Sequence, residues 1–170
     1  MTPRAHLPRR SFLVAIPFVV ALLLGLTTSP AGADMSKKVI AAFKGKILVT
    51  KAPLEMAGDD KTTIAHFKKQ TLTEIKGAVG GDDVLTWNFV YTAFLKGTGA
   101  TSLKLEFYDG TNYSADKSLT GVDPKMTVLE GDIEITEDDN ITKGKTYTIK
   151  LTGTVRGKEI VFATTTLKMN

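Results

Sequence analysis

Three consecutive carboxylates are the strongest candidates for metal chemistry in this chain. Glu137, Asp138 and Asp139 stand in a row, and Asp132 and Glu134 precede them closely. Calcium takes about six to eight oxygen ligands, and carboxylates on a loop between strands can supply them. The run lacks the Asp-x-Asp-x-Asp-Gly order of an EF-hand loop, so an ordinary polar turn is the alternative. Calcium is therefore the one candidate ion, with the three consecutive side chains as its ligands.

Two tyrosines on either side of a turn could bind a ligand through their rings. Tyr108 and Tyr113 flank the sequence Asp-Gly-Thr-Asn, which is typical of a hairpin turn. A flat aromatic ring presents an apolar face on which a sugar can stack. A cross-strand pair with a purely structural role is the alternative. We take Tyr108 and Tyr113 as a candidate ligand surface, with carbohydrate as the expected ligand class.

Side chains suited to catalysis are sparse. His66 is the only histidine after residue 33, so a multi-histidine zinc or copper site cannot form, and no Ser-His-Asp set is indicated by spacing. The chain has no cysteine, which excludes disulfides and thiolate metal sites. A hydrolase that uses two carboxylates rests only on the abundance of acidic residues. We therefore expect no enzyme, no catalytic residue and no cofactor other than calcium.

Residues 1–33 have the order of a secretory signal peptide. Three arginines precede an uncharged apolar run at 12–26, and the small residues at 31–33 follow as a cleavage site. The apolar run contains Pro17 and is shorter than the roughly twenty residues that a membrane-spanning helix needs. We expect cleavage after Ala33, export to the periplasm or the extracellular space, and no stable membrane span in the product.

The export route has two interpretations. Arg9-Arg10-Ser11-Phe12-Leu13 resembles the bacterial twin-arginine export motif. Adjacent arginines also occur in ordinary secretory signals, and Pro8 stands where the motif usually has serine or threonine. Because the twin-arginine route carries proteins that are already folded, it is kept as the alternative to the general secretory route.

The expected product, residues 34–170, is almost neutral. Loss of the three arginines leaves 19 basic residues against 18 acidic ones, a net charge of +1. Arg156 is then the only arginine, although arginine is the side chain that forms bidentate contacts with guanine and phosphate. A neutral surface with one arginine does not suit nucleic acid, so we expect none as a partner. The length predicts a single domain with a full core.

Most of the expected product alternates between apolar and polar side chains, which is typical of β-strands. The most apolar segment, 84–95, predicts a central strand that is buried on both faces for part of its length. The pattern also predicts a first strand at 39–49 with a bulge at Gly45, and a bulge or turn at Gly131. A last strand should carry Val161 on its inner face. Further expected strands lie at 103–107, 113–117, 126–135 and 147–152.

One segment departs from this alternation. Ile64 and Phe67 lie three residues apart, as on one face of a helix, and Asp59 and Asp60 precede them as N-terminal residues would. This predicts one short helix over about 61–69, followed by an extended stretch.

The segment before Tyr147 resembles the tyrosine corner of immunoglobulin-like and fibronectin-type-III-like domains. Its residues are Asp-Asn-Ile-Thr-Lys-Gly-Lys-Thr at 139–146. In such domains the tyrosine hydroxyl turns back to the backbone of the preceding loop, and Trp87 would suit their core tryptophan. The resemblance implies an all-β fold, a single immunoglobulin-like β-sandwich of about seven strands. Trp87 and Tyr147 would be its structural residues, and the inter-sheet disulfide is absent.

This resemblance implies no activity, because the fold hosts many unrelated functions. The leading hypothesis is an exported, non-enzymatic module for protein interaction or cell-envelope structure, whose partner is an unknown protein or an envelope component. A calcium- or carbohydrate-binding module is the first alternative. A carboxylate-dependent hydrolase is the second.

Overall fold

A computed structural model describes residues 35–80 and 83–170. The signal peptide expected at 1–33 lies outside these described residues. They form a mainly β structure with two sheets and two short α-helices. Neither of these helices is long and apolar enough to cross a membrane.

The elements follow one another with short connections. The helices are α1 (Lys37–Phe43) and α2 (Asp60–Gln70), and a single 3-10 turn covers Glu137–Asp139. The strands are β1 (Ile47–Thr50), β2 (Glu74–Ile75), β3 (Ala78–Val79), β4 (Leu85–Phe94), β5 (Ser102–Asp109), β6 (Asn112–Thr120), β7 (Val128–Thr136), β8 (Thr146–Val155) and β9 (Lys158–Met169).

The first sheet is built around β4. β7 pairs with β4 over the range Thr86–Phe94, and β1 and β3 share the opposite edge of β4. All of these pairs are antiparallel. Residues 89–94 of β4 are buried on both faces. One face meets the second sheet, and on the other face Phe94 meets the helices while Thr92 donates a hydrogen bond to Glu130. The prediction of a central, doubly buried strand at 84–95 is confirmed.

The second sheet has the order β2-β9-β8-β5-β6, and only the short β2–β9 pair is parallel. β5 and β6 form the hairpin that the Asp-Gly-Thr-Asn sequence predicted. Because β6 is the last strand in this order, its second edge has no strand partner among the described residues. This open edge lies beside the candidate site described below.

A single apolar core fills the space between the sheets. Its side chains alternate along each strand, so that one face of β4 and β7 meets one face of β5, β8 and β9. The fully buried members with the largest side chains include Trp87, Phe107, Tyr147, Leu151 and Ile135.

A second apolar cluster lies on the outer face of the first sheet, beneath the two helices. Phe43 of α1 has its ring centre 5.2 Å from that of Phe94 of β4 and 5.9 Å from that of Phe67 of α2. All three rings are buried. The helices therefore add a third layer that covers one end of this sheet.

The prediction of a first strand over 39–49 is wrong in its first half. Residues 37–43 form α1, whose N-cap Ser36 accepts a hydrogen bond from the backbone N–H of Val39 at 3.2 Å. Val39 and Phe43 are four residues apart and face the second cluster together. Gly45 has φ +75° and stands at the junction of helix and strand instead of in a bulge. The described residues thus contain two α-helices and nine strands, where one helix and about seven strands were expected.

The prediction of a bulge or turn at Gly131 is also wrong. β7 runs through this position without a register shift, and Gly131 lies opposite Tyr91 of β4. A Cβ at Gly131 would lie 3.0 Å from the Tyr91 ring. Glycine is favoured here because any larger residue would push against the aromatic side chain of the neighbouring strand.

Val161 does not belong to the inner face of the last strand. Leu151 of β8 lies opposite Ala163, whereas Thr152 lies opposite Val161, so Phe162 is the extra residue of a bulge. The bulge reverses the alternation, leaving Val161 49% exposed and turning Phe162 against the core.

The predicted helix at 61–69 is confirmed, with one more residue at each end. The N-cap Asp59 accepts a hydrogen bond from the backbone N–H of Thr62 at 2.7 Å. This bond lowers the pKa of Asp59 below its usual value. The extended stretch that follows α2 contains β2.

Candidate functional site

The two predicted ligand-surface tyrosines lie together on the β5–β6 hairpin. Tyr108 and Tyr113 are opposite one another across the strands, next to a register shift between Phe107 and Tyr108. Their ring centres are 5.9 Å apart and the rings meet edge to face, at 80°. Tyr113 is 54% exposed, whereas Tyr108 is half-buried. We call these two rings with Glu106, Asp116 and Lys150 the tyrosine face.

Both tyrosine hydroxyls are held by carboxylates of the same face. The Tyr108 hydroxyl donates to Oε2 of Glu106 at 3.0 Å, and the Tyr113 hydroxyl donates to Oδ1 of Asp116. Lys104 adds an ion pair to Asp116, with 3.7 Å between nitrogen and oxygen. These contacts fix the orientation of the rings before any ligand arrives.

The carboxylates also keep the tyrosines protonated. The hydrogen bond to Asp116 is the largest cause that raises the pKa of Tyr113, to about 12. The bond to Glu106 similarly raises the pKa of Tyr108. In both cases ionisation would remove the donor proton and leave two negative charges in contact. The two phenol groups are therefore neutral near pH 7 and donate their protons to the carboxylates.

Only one ring of the tyrosine face is open to a partner. Nζ of Lys150 lies 3.9 Å from the centre of the Tyr108 ring, which is a cation–π contact that covers that ring. The ring of Tyr113, on the edge strand β6, projects beyond the covered ring of Tyr108. The face therefore offers one exposed aromatic ring supported by a second, with charged side chains of both signs around them.

The predicted calcium ligands face different partners. Glu137 accepts a hydrogen bond from the backbone N–H of Leu85 at 3.1 Å. Asp139 accepts bonds from the N–H of Thr136 at 2.9 Å and from Nζ of Lys117. Asp138 is exposed in the same 3-10 turn. The segment forms a turn. The carboxylates of Glu137 and Asp139 connect this turn to β4 and β6 through hydrogen bonds.

The electrostatics of Asp139 agree with this structural role. Partial burial alone would raise its pKa, but the hydrogen bond from Thr136 and the charge of Lys117 outweigh burial and leave the pKa lowered. Across residues 35–80 and 83–170, no three histidine or acidic side chains form a group that could hold a metal ion. The geometry gives the calcium prediction no support.

His66 lies on α2, half-buried, with its ring 6.4 Å from that of Phe67. This packing gives it a place on the helix surface and does not bring it to the tyrosine face. The sequence predicted no nucleophile as a partner for His66, and the contact of its ring with Phe67 supplies none.

Two further grooves lie on the described surface, and the sequence pointed to neither. One, of about 570 Å³, lies between the β6 and β7 edges and carries charges of both signs, including Lys51, Lys117, Asp132 and Glu134. The other, of about 740 Å³, lies beside α1 and has lysines as its only charged lining residues. Each draws its walls from segments far apart in the chain, so no local pattern could have revealed it.

The two predicted structural residues both lie in the core. Trp87 is completely buried, and its indole N–H donates to the backbone oxygen of Asn170 at 3.1 Å. The Tyr147 hydroxyl accepts a hydrogen bond from the backbone N–H of Thr142, five residues earlier, at 2.7 Å. This is the contact with the preceding loop that the tyrosine-corner resemblance implied.

Comparison with protein-family models, curated proteins and solved structures gives no match to this chain. Its function has to be inferred from its own geometry. The fold brings the two predicted ligand-surface tyrosines together in the tyrosine face. It directs the carboxylates of the acidic turn to different partners.

Proposed function

We propose that this chain is an exported, non-enzymatic β-sandwich of immunoglobulin-like topology that binds a protein or another cell-envelope component through its tyrosine face. The single observation that carries the binding role is the 54% exposed ring of Tyr113. It stands on an open edge strand, supported by the ring of Tyr108. Exposed aromatic rings with fixed orientation are typical anchors of protein interfaces, because they bury a large area at little entropic cost.

The strand pairing supports the immunoglobulin-like topology. If β1, β4, β5, β7, β8 and β9 are lettered A, B, C, E, F and G, the pairs are A–B, B–E, C–F and F–G. These pairs are the framework of immunoglobulin-like sandwiches, and β6 takes the place of the extra strand beside C. The tyrosine at the start of β8, strand F, agrees with this lettering.

Two carboxyl groups with a lowered pKa have structural roles. Asp59 caps α2, and Asp139 accepts hydrogen bonds that hold the 3-10 turn. Neither is the carboxyl group with a raised pKa in a cleft that a general acid would need.

Export is supported by the order of residues 1–33. The partner would then be a protein or glycan of the envelope.

Photo-crosslinking in cells tests the proposed face. A photo-reactive amino acid replaces Tyr113 in the full-length chain, and a matched chain carries it at Val79, which is 63% exposed on the other sheet. We expect a discrete crosslinked species from position 113 only. The same pattern from both positions, or no species from position 113, would contradict the proposal.

Carbohydrate is the second candidate for this face, favoured by an exposed ring beside two carboxylates. A glycan array probed with the wild type and with Tyr113→Phe separates the two ideas. Phenylalanine keeps the stacking ring, so sugar binding should persist in Tyr113→Phe and be lost in Tyr113→Ala. Absence of any glycan signal would leave the protein partner as the proposal.

A further inference from the structure

A broad groove runs along α1 and carries an unusual set of charges. Lys37 and Lys44 come from the two ends of α1, Lys96 follows β4, and Lys125 lies in the loop before β7. Between them the groove has an apolar floor that includes Ile40 and Leu95. We call this site, of about 740 Å³, the lysine groove.

The charge of the lysine groove is not balanced within the described chain. No acidic residue lines it. The ion pairs among the described residues use Lys104, Lys117 and Lys145, so none of the groove lysines has a described carboxylate within 4 Å. Asp123 accepts the backbone N–H of Lys125 at 2.9 Å, so one carboxylate lies beside the groove without forming an ion pair with its lysines. Four lysines against this one neighbouring carboxylate leave an excess of positive charge among the described residues, which favours an anion.

The groove walls are fixed by backbone hydrogen bonds. The N–H groups of Thr98 and Gly99 both donate to the carbonyl of Pro124, at 2.9 and 3.0 Å. Leu95 donates to the carbonyl of Thr127 at 2.7 Å. These bonds join the loop after β4 to the loop before β7, so two of the lysines are carried on connected walls. A preformed site loses less entropy when it binds a ligand.

The floor of the groove is suited to hydrocarbon. Ile40 is half-buried and Ala41 is exposed on the α1 side of the groove, and Leu95, only 2% exposed, closes the base beneath them. A small inorganic anion would touch the lysines and leave this apolar surface in water. A ligand that combines an anionic head with an apolar tail would use both features.

We propose that the lysine groove binds an anionic amphiphile, a phosphate-type headgroup held by Lys96 and Lys125 with an alkyl chain along Ile40 and Ala41. Lysine ammonium groups bind phosphate oxygens as point charges, without the bidentate geometry that arginine needs. The ligand could be a free molecule or the headgroup region of a membrane lipid, and the two sources share this chemistry. The site is separate from the tyrosine face.

Titration of the exported, purified protein tests this proposal with three probes. Octyl phosphate monomers represent the free amphiphile, phosphatidylglycerol vesicles represent the membrane, and inorganic phosphate represents the head alone. We expect saturable binding of octyl phosphate or of the vesicles, at least about tenfold tighter than inorganic phosphate. Whichever of the two binds more tightly identifies the source.

The variant Lys96→Glu/Lys125→Glu should weaken this binding at least about tenfold. The matched control, Lys143→Glu/Lys158→Glu, changes net charge equally at two exposed lysines outside the groove and should bind as the wild type does. Lys96→Gln/Lys125→Gln, with thermal unfolding recorded for each, guards against misfolding. Equal losses in both Glu pairs, equal binding of octyl phosphate and inorganic phosphate, or no saturable binding of octyl phosphate and vesicles would overturn the proposal.

Discussion

Replacing Tyr147 by phenylalanine would remove one hydroxyl group from the core and leave the ring in place. The side chain is 1% exposed, and its oxygen is the acceptor for the backbone N–H of Thr142 at 2.7 Å. A neutral hydrogen bond of this kind contributes about 1 kcal/mol to the free energy of unfolding. The cost stays near this value because phenylalanine keeps the buried ring in place and only this one hydrogen bond is lost.

Urea denaturation and thermal unfolding of Tyr147→Phe measure this cost. We expect the free energy of unfolding to fall by about 1 kcal/mol, and the melting temperature to fall by about 3 °C for a chain of this size. The control is Tyr113→Phe, which removes a hydroxyl bonded on the surface and should cost less than about 0.5 kcal/mol. Equal stability of Tyr147→Phe and the wild type would refute the structural role of the hydrogen bond between Thr142 and Tyr147.

Three further substitutions test the core and the acidic turn. Trp87→Ala should lower the free energy of unfolding by about 3–5 kcal/mol, measured in urea, and a loss below about 1 kcal/mol would contradict full burial. Gly131→Ala should cost about 1–3 kcal/mol because its Cβ would meet the Tyr91 ring at 3.0 Å; no loss of stability would show that the ring moves freely. The pKa of Asp139 lies below its usual value of 3.8. The ionised carboxylate therefore stabilises the fold at pH values above 3.8. This stabilisation is lost as the pH falls through the lowered pKa. The stability difference between wild type and Asp139→Asn should therefore shrink below about pH 4, and a difference that grows in acid would contradict the assigned hydrogen bonds.

The elements predicted correctly are those whose signals are local. The β5–β6 hairpin follows from its turn residues, and α2 follows from Asp59 and its apolar spacing. The Tyr147 contact spans only five residues. In each case the residues that determine the structure are neighbours in the chain, so their pattern can be read without the fold.

The errors arise where the same residues satisfy two patterns. Val39 and Phe43 fit an alternating strand as well as a helix face, because a separation of four residues is compatible with both periods. The outcome was decided by the Ser36 cap and by the aromatic cluster on the outer face of the first sheet. Val161 was misassigned because the bulge that reverses β9 depends on the register with β8.

The same difference between local signals and long-range contacts separates the two candidate sites. Tyr108 and Tyr113 meet because a tight turn joins their strands. The carboxylate of Glu137 is instead directed to Leu85, 52 residues away, and that of Asp139 to Lys117, 22 residues away. Partners at such distances in the chain cannot be assigned from one sequence, and the same holds for the lysine groove.

The most direct test of the proposed function is the affinity of the crosslinked partner, once identified and purified, for variants of the tyrosine face. By calorimetry, Tyr113→Ala should weaken binding at least about tenfold, while Val79→Ala on the other sheet should leave the affinity unchanged. Equal affinities of wild type and Tyr113→Ala for that partner would contradict the account, because the exposed ring is the feature on which the binding role rests.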